Sequence, residues 1–513
     1  MKVISRREFL KTIGCVAGLS TLAGCSGIDS GPLSKTQTPN LLIIHTDEQT
    51  FRSISCYDNS WPDLQTTNID FLANNGLRCE NFYTNHPVCS PSRAALLTGK
   101  YAHKVDSYRN DIPLRQKAVT FGDILQSHGY ATGYCGKLHL NGGPYPGMHL
   151  ERKFGFADNR FMFNNGHWKK LIIKKNGHLD NPGGVGDEKS FTTDFLTDRT
   201  IEFIVKNKNK KWCYMISIPD PHNPNIDREP YKSMFKPEDM KIPKTFYLPE
   251  DKKPKWAARN KKNKADKTGQ RFLRQHKAQY YAMVKHIDDC VGRLTRLLKD
   301  NGLLDKTIIV YTTDHGEMMG EFGRYNKHVP YDASAKIPFI IHYPKKIRKP
   351  KVVRNIITNI DFAPTILDLM GVNAKYDFDG RNAAKLLTDG ITDNWENIAF
   401  ISRPGLVTVV TDRYKLVLNI DDKPWLFDRK NDPEELRNAI NDNAHHSAVK
   451  HLAGSLKEFL RNNADPNWAD QLTEINYKRY QQHQLREKRY RRARPKKISW
   501  VSELKKQLNT LQK

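Results

Sequence analysis

Two short apolar runs, far apart in the chain, set the tightest limit on the fold. Asn40-Leu41-Leu42-Ile43-Ile44-His45-Thr46 and Thr307-Ile308-Ile309-Val310-Tyr311-Thr312-Thr313 are continuous rather than alternating. A strand with one face in water alternates apolar and polar residues, so an unbroken run of strand length belongs inside a sheet covered on both faces. Each run stops at an acid: Asp47-Glu48 follows the first and Asp314 the second. Before the second run, Tyr280, Val284, Ile287, Val291, Leu294 and Leu298 recur at helical spacing, with Asn301-Gly302 as a stop. Helix, strand, then polar cluster is the rhythm of an α/β sheet, in which ligands bind beyond the carboxyl ends of the strands. Two acidic strand ends could thus converge on one cation.

A chain of 513 residues, 38% of them hydrophobic, has room for one large and one small domain. Residues 338–343 and 361–370 read as a strand and a helix of the large one. Residues 241–277, dense in Lys and Pro and without sustained periodicity, read as a long surface insertion. From residue 398 the pattern changes to short alternating runs, such as Leu406 to Val410 and Lys415 to Asn419, which suggest an antiparallel meander. A helix is expected from Ser447 to Arg461, striped by Val449, Leu452, Leu456, Phe459 and Leu460. The expected division is a catalytic domain over 39–397, a C-terminal subdomain over 398–476 and a basic tail over 477–513.

The most specific segment is Cys89-Ser90-Pro91-Ser92-Arg93-Ala94-Ala95-Leu96-Leu97-Thr98-Gly99. Pro91 suits a first helical turn, Ser90 could cap it, and Leu96-Leu97 would face inward. Cys89 would then stand at a helix N-terminus with Arg93 one turn on, a place that favours an anion or a thiolate. A structural Cys before an ordinary helix fits the spacing equally well.

This segment resembles the signature of the type I sulfatases, Cys-x-Pro-x-Arg with a Thr-Gly ending, and further motifs extend the resemblance over residues 38–460. The family implies an alkaline-phosphatase-like α/β fold: a large mixed sheet flanked by helices, with a smaller C-terminal α+β subdomain carrying an antiparallel sheet. It implies that Cys89 is converted by a dedicated maturase to formylglycine (3-oxoalanine), whose hydrate is the nucleophile. Thr46-Asp47-Glu48-Gln49 resembles the first metal motif, in which the second acid is more commonly Asp, and Thr313-Asp314-His315-Gly316-Glu317 resembles the second. The implied metal ligands are Asp47, Glu48, Asp314 and His315, with residue 89. Hard oxygen donors favour Ca²⁺, and a single imidazole leaves Mg²⁺ or Mn²⁺ open. Gly136-Lys137-Leu138-His139 resembles the family's Gly-Lys-x-His; in an extended segment Lys137 and His139 would leave one face. Pro219-Asp220-Pro221-His222-Asn223-Pro224 resembles its Pro-His-x-Pro loop, and Lys327 falls in its late Lys motif. The resemblance implies that Lys137, Lys327 and His222 bind the sulfate oxygens and that Arg93 holds residue 89. It further implies that His222 or Lys327 protonates the leaving alcohol and that His139 accepts the proton that releases sulfate.

Ser5-Arg6-Arg7-Glu8-Phe9-Leu10-Lys11 before the short apolar stretch Ile13 to Ala23 reads as a twin-arginine export signal over residues 1–24. Leu22-Ala23-Gly24-Cys25 resembles a lipoprotein box, with Cys25 as a lipid anchor to a membrane; a plain cleaved signal is the alternative. Residues 25–38 read as a tether, and the expected location is the periplasm or the cell surface. The formal charge of +27 attracts polyanions. For an exported chain the polyanion is a glycan or a lipid surface rather than nucleic acid. The expected function is removal of sulfate from a sulfated polysaccharide or its oligosaccharides. The alternatives are a phosphonate or phosphodiester hydrolase of the same superfamily and a surface lipoprotein that binds acidic glycans. Eight scattered cysteines do not make a disulfide framework, and no run of 18 apolar residues is present.

Overall fold

The computed structural model describes residues 38–58, 64–143, 147–148, 150–258, 265–463, 507 and 509–511. The export signal over 1–24, the tether up to residue 37, and all but those last positions of the basic tail lie outside the described residues.

In the first strand, β1 (Asn40–Asp47), every residue is buried. It is followed by β2 (Leu77–Tyr83), β3 (Ala131–Lys137), β4 (Asp158–Phe163), a short ribbon of β5 (Ile172–Ile173) and β6 (Leu179–Asp180), then β7 (Trp212–Pro221), β8 (Thr307–Thr313), β9 (Phe339–His342) and β10 (Lys351–Thr358). Eight of these form one mixed sheet in the order β10-β2-β9-β8-β1-β7-β3-β4. Only β9 runs antiparallel to its neighbours, β2 and β8. Successive side chains of a strand point to opposite faces, and both faces are covered. Leu41, Ile43 and Val310 pack on one side with Phe362 and Ile366 from the helix Phe362–Leu369. Leu42, Ile44 and Ile309 pack on the other with Ile287, Val291 and Leu294 from the helix Lys267–Asp300. That is why the first and second apolar runs do not alternate.

The helix Lys267–Asp300 begins inside the stretch expected to be a surface insertion. Its start is capped by Asp266, which accepts from the Gly269 N–H at 3.0 Å. Leu273 is wholly buried, and Lys277 runs its stem over the core while its ammonium donates to the Lys241 carbonyl at 2.7 Å. A lysine that covers apolar surface reads as a break in the apolar stripe, and this hid the first turns from the periodicity. Residues 231–257 before it hold only short 3₁₀ turns.

The expected meander is a four-stranded antiparallel sheet, β11 (Ile398–Arg403), β12 (Leu406–Thr411), β13 (Tyr414–Asn419) and β14 (Asp422–Asp428). The helix His446–Asn463 lays Val449, Leu452, Leu456 and Phe459 over Val407, Val409, Leu416 and Leu418. A buried ion cluster fastens this sheet to the loop that follows Lys327. The Lys415 ammonium, fully buried on β13, donates to the Pro330 carbonyl at 2.8 Å and to Asp332 at 2.7 Å, while Arg429 reaches the other Asp332 oxygen at 3.2 Å. Burial works against ionisation of Asp332, but Lys415 and Arg429 outweigh it and hold the carboxyl far below the usual range. Among the described residues no helix is long and apolar enough to cross a membrane.

One glycine marks how tightly the sheet closes at the site. Gly136, on β3, has φ +96°, and a Cβ built there would stand 1.8 Å from the Ser217 carbonyl oxygen on β7. Neither the backbone conformation nor the space admits a side chain. Gly136→Ala is expected to destabilise the fold by at least about 2–3 kcal/mol, read as a lowered urea midpoint; an unchanged midpoint would show that β3 and β7 separate without cost.

Candidate active site

Four neighbouring parallel strands, β8, β1, β7 and β3, present their carboxyl ends together. Thr46 of β1 pairs with Thr313 of β8, so Asp47 and Asp314 leave adjacent strands at the same level. Lys137 ends β3, and His222 follows Pro221 at the end of β7. The helix Cys89–Thr98 closes the group. It starts at Cys89 itself, with extended Val88 before it and left-handed Gly99 (φ +63°) ending it. Ser90 is therefore inside the helix and caps nothing; its N–H donates to Asn110 Oδ1 at 3.0 Å.

Arg93, 2% exposed, ties these ends together. Its Nε donates to Asp314 at 2.9 Å, one terminal nitrogen donates to Asp47 at 3.1 Å, and the other donates to the Lys137 carbonyl at 2.7 Å and the Ser217 hydroxyl at 2.8 Å. The planar fork of a guanidinium serves acceptors in several directions at once, which a lysine does not. Burial favours the neutral acid at both carboxyls. At Asp47 the Lys137 ammonium and Arg93 overcome it and hold the pKa well below its usual range. Asp314 lies at about 2, where burial and the charge of Asp47 oppose ionisation and His315 and Arg93 favour it.

Cys89 Sγ lies 3.2 Å from His315 Nε2 and 3.9 Å from Asp47 Oδ1. Burial alone would raise the thiol, but Lys137 and Lys327 bring it well below its ordinary value. The pocket thus favours a negative atom at position 89. Lys137 donates to Asp47 and stands 2.8 Å from His167 Nε2.

A second cluster adjoins the first. Glu48, at φ +63°, turns its carboxylate toward Lys327 Nζ at 3.0 Å and His222 Nε2 at 2.8 Å, and those two nitrogens are 2.8 Å apart. The Tyr280 hydroxyl donates to the Glu48 carbonyl at 2.8 Å. Glu317, buried beside Glu48, is pushed well above the usual carboxyl range by burial and by that neighbouring charge. His167 stacks on His222 with ring centroids 3.7 Å apart. His139 stands apart from these contacts. It lies beyond the end of β3 at φ +60°, so the two-residue spacing from Lys137 is not an extended one. Both its ring nitrogens are buried without a hydrogen-bond partner among the described residues, and Asp111 is 3.6 Å from Nε2.

A sequence model of sulfatases matches residues 39–372, and one of the N-sulphoglucosamine sulphohydrolase C-terminal region matches residues 320–463. The chain belongs to the sulfatase family. It is a sulfuric ester hydrolase. It is 28% identical to an N-acetylglucosamine-6-O-sulfatase of Bacteroides thetaiotaomicron, over 88% of this chain and 90% of that one. It is 26% identical to an arylsulfatase of Clostridium perfringens, over 81% and 92%. A solved enzyme bound to its substrate D-glucosamine-2-N,6-O-disulfate superposes with a TM-score of 0.72 at 25% identity, covering 84% of this chain and 99% of that one. A phosphonate monoester hydrolase of Agrobacterium radiobacter shares the fold, with a TM-score of 0.69 at 22% identity over 83% and 96%.

In this sulfatase the residues expected from the metal motifs divide. Donor atoms of Asp47, Cys89, Asp314 and His315 all lie within 4.8 Å of one another. His315 Nδ1 contacts the Gly316 carbonyl at 3.0 Å, which leaves Nε2 to face the cluster, the orientation a ligating imidazole needs. Two carboxylates and one imidazole suit a hard divalent cation. Glu48 is outside that group: its Oε2 meets Lys327 and His222, while its Oε1 is buried without a hydrogen-bond partner among the described residues. His167, Glu317 and Ser217 also build the site, and no spacing in the sequence singles them out.

Arg93→Met would leave Asp47 and Asp314 buried with one cationic partner fewer. A loss of about 3–5 kcal/mol in unfolding free energy is expected, measured by urea denaturation. Arg93→Lys should recover part of the stability and little of the turnover; full turnover in the lysine variant would refute the need for a fork.

Proposed function

We propose that the chain removes sulfate from a sulfated carbohydrate, with residue 89 matured to formylglycine and a divalent cation bound by Asp47, Asp314 and His315. The observation that carries this reading is the convergence on one buried atom. Cys89 Sγ lies within 4.8 Å of donor atoms of two acids and an imidazole, and the charges of Lys137 and Lys327 act on it. The carbohydrate is supported by relatives whose names specify it, among them the N-acetylglucosamine-6-O-sulfatase and an ulvan-active sulfatase of Formosa agariphila at 28% identity over 68% of this chain and 65% of that one.

In this reading the formylglycine hydrate supplies the attacking oxygen, and the cation neutralises sulfate charge. The chain's own residues do the rest. Arg93 fixes Asp47 and Asp314 and so the floor of the site. Lys137 and Lys327, whose pKa is raised despite burial by the negative groups around it, face the sulfate oxygens and strengthen their hold as charge grows. His222, backed by Glu48, delivers a proton to the leaving alcohol, with Lys327 as the neighbouring alternative. His139, whose ring nitrogens make no hydrogen bond among the described residues, accepts the proton that releases sulfate.

The reading includes export through residues 1–24, a lipid on Cys25, and a maturase acting on Cys89. We also retain 39–397 and 398–476 as the functional division.

Sulfate release from defined sulfated oligosaccharides, set beside 4-nitrophenyl sulfate and a matching phosphodiester, tests the reaction class. Phosphodiester turnover above sulfate-ester turnover would replace it with the phosphodiesterase alternative. Peptide mass analysis is expected to show formylglycine at position 89, and Cys89→Ala to abolish turnover with a near-normal unfolding midpoint. Asp314→Asn should cost at least about 100-fold in rate. Full activity after exhaustive chelation would argue against the cation.

A further inference from the structure

Most arginines that reach the interior of this protein have an acid to meet. Arg93 pairs with Asp47 and Asp314, Arg228 with Asp194, Arg381 with Asp361, and Arg429 with Asp332. Arg324 and Arg403 do not. Both are partly buried, neither forms an ion pair among the described residues, and the Nε–H of each is buried without an acceptor. Among the described residues, the hydrogen bond of the Arg324 guanidinium goes to a neutral group, the Ala258 carbonyl. The two also repel. Arg403 is pushed down to about 10, by burial first and by Arg324 next, with Asp421 offsetting only part of the shift. At Arg324, burial again favours the neutral form, against the weaker pull of Tyr331 and Glu250.

Their position is not arbitrary. Arg324 stands three residues before Lys327 on the same loop, and the backbone of His328 in that loop donates to the Pro87 carbonyl at 3.2 Å. Arg403 ends β11, where the Ser402 N–H donates to the Asn85 carbonyl at 2.9 Å and Asn85 Nδ2 donates to the Phe400 carbonyl at 2.8 Å. Both arginines therefore sit on elements fastened to the segment 85–88 that leads into Cys89. His328, in the same loop, is lowered by partial desolvation of its ring and by the fields of Lys327, His315 and Arg403. One side of the approach to the Cys89 pocket thus carries cationic charge that no ion pair among the described residues balances.

We infer that Arg324 and Arg403 form a second anion-binding subsite, which holds a negative group on the substrate other than the sulfate being removed. Burying two like charges with idle donors is costly, and an anion that completes them recovers that cost as binding. A guanidinium fork fits a sulfate or a carboxylate equally, so the group is a second sulfate or a uronate carboxylate on the same sugar or its neighbour. This rests on the carbohydrate reading above and narrows it to doubly charged saccharides.

The experiment compares the wild type with Arg324→Met and Arg403→Met on three saccharide series: one sulfate only, two sulfates, and one sulfate with a uronate. The wild type is expected to favour one doubly charged series over the singly sulfated one, and which of the two it favours identifies the anion. Each methionine variant should reduce that preference, as a ratio of kcat/KM values, by about tenfold or more. Tm in saccharide-free buffer should rise in both variants, since an unbalanced buried charge has been replaced by an apolar chain of similar length. A structural arginine would give the opposite sign. Unchanged preference, or a fall in Tm, overturns the subsite. Wild-type activity on 4-nitrophenyl sulfate with none on any saccharide would instead remove the carbohydrate reading, and the sign of the Tm change would still decide whether the arginines are unpaired.

Discussion

Everything at the centre of this protein hangs on one buried guanidinium. The sheet delivers Asp47 and Asp314 side by side, and two carboxylates taken out of water together repel each other and lose their hydration. Arg93 resolves this with a single side chain that reaches both acids, the end of β3 and the Ser217 hydroxyl on β7. Because Arg93 sits one turn after Cys89 on the same helix, the group that secures the strand ends also sets the position of residue 89, the nucleophile of the proposed reading. Stability and chemistry are thus coupled through one residue, and the site is rigid because it is part of what holds the sheet closed.

The charges beyond Arg93 follow a consistent scheme. Anionic groups line the floor, and in the proposed reading Lys137 and Lys327 flank the sulfate. Each ammonium is held by a carboxylate, Lys137 by Asp47 and Lys327 by Glu48. In the proposed reading, the singly charged sulfate ester meets cations already oriented, with little reorganisation left to do. Burial and the charge of Glu48 push Glu317 well above the usual carboxyl range, which disfavours a second negative charge in that cluster.

Much of this was legible in advance because it depends on periodicity and on short local motifs. The unbroken runs at Asn40–Thr46 and Thr307–Thr313 announce central strands, since only two-sided burial tolerates them, and the acids that end them mark where a site must lie. Cys89 and Arg93 are four residues apart on a helix, which a sequence displays directly. What escaped did so for physical reasons. His167 and Glu317 earn their places through stacking and proximity across long sequence distances, with no spacing to betray them. Ser90 looked like a cap but fell inside the helix, because the chain enters extended at Val88. The first turns of the helix Lys267–Asp300 were masked by basic residues whose stems are apolar. His139 left the expected line through a positive φ that its residue type does not advertise.

The sheet's order also has a consequence in time. β1 is made early, yet its neighbours β7 and β8 begin at residues 212 and 307. Until the chain has been synthesised through Thr313, Asp314 has no place beside Asp47, and Arg93 has nothing to close upon. At ordinary rates of elongation that interval, counted from Cys89, lasts roughly ten to forty-five seconds. During it the segment Cys89–Gly99 has no core to enter, although in the finished molecule Cys89 is 2% exposed. Any enzyme that must grip residue 89 as an extended peptide works within this period on the nascent chain, and once β8 docks the opportunity closes.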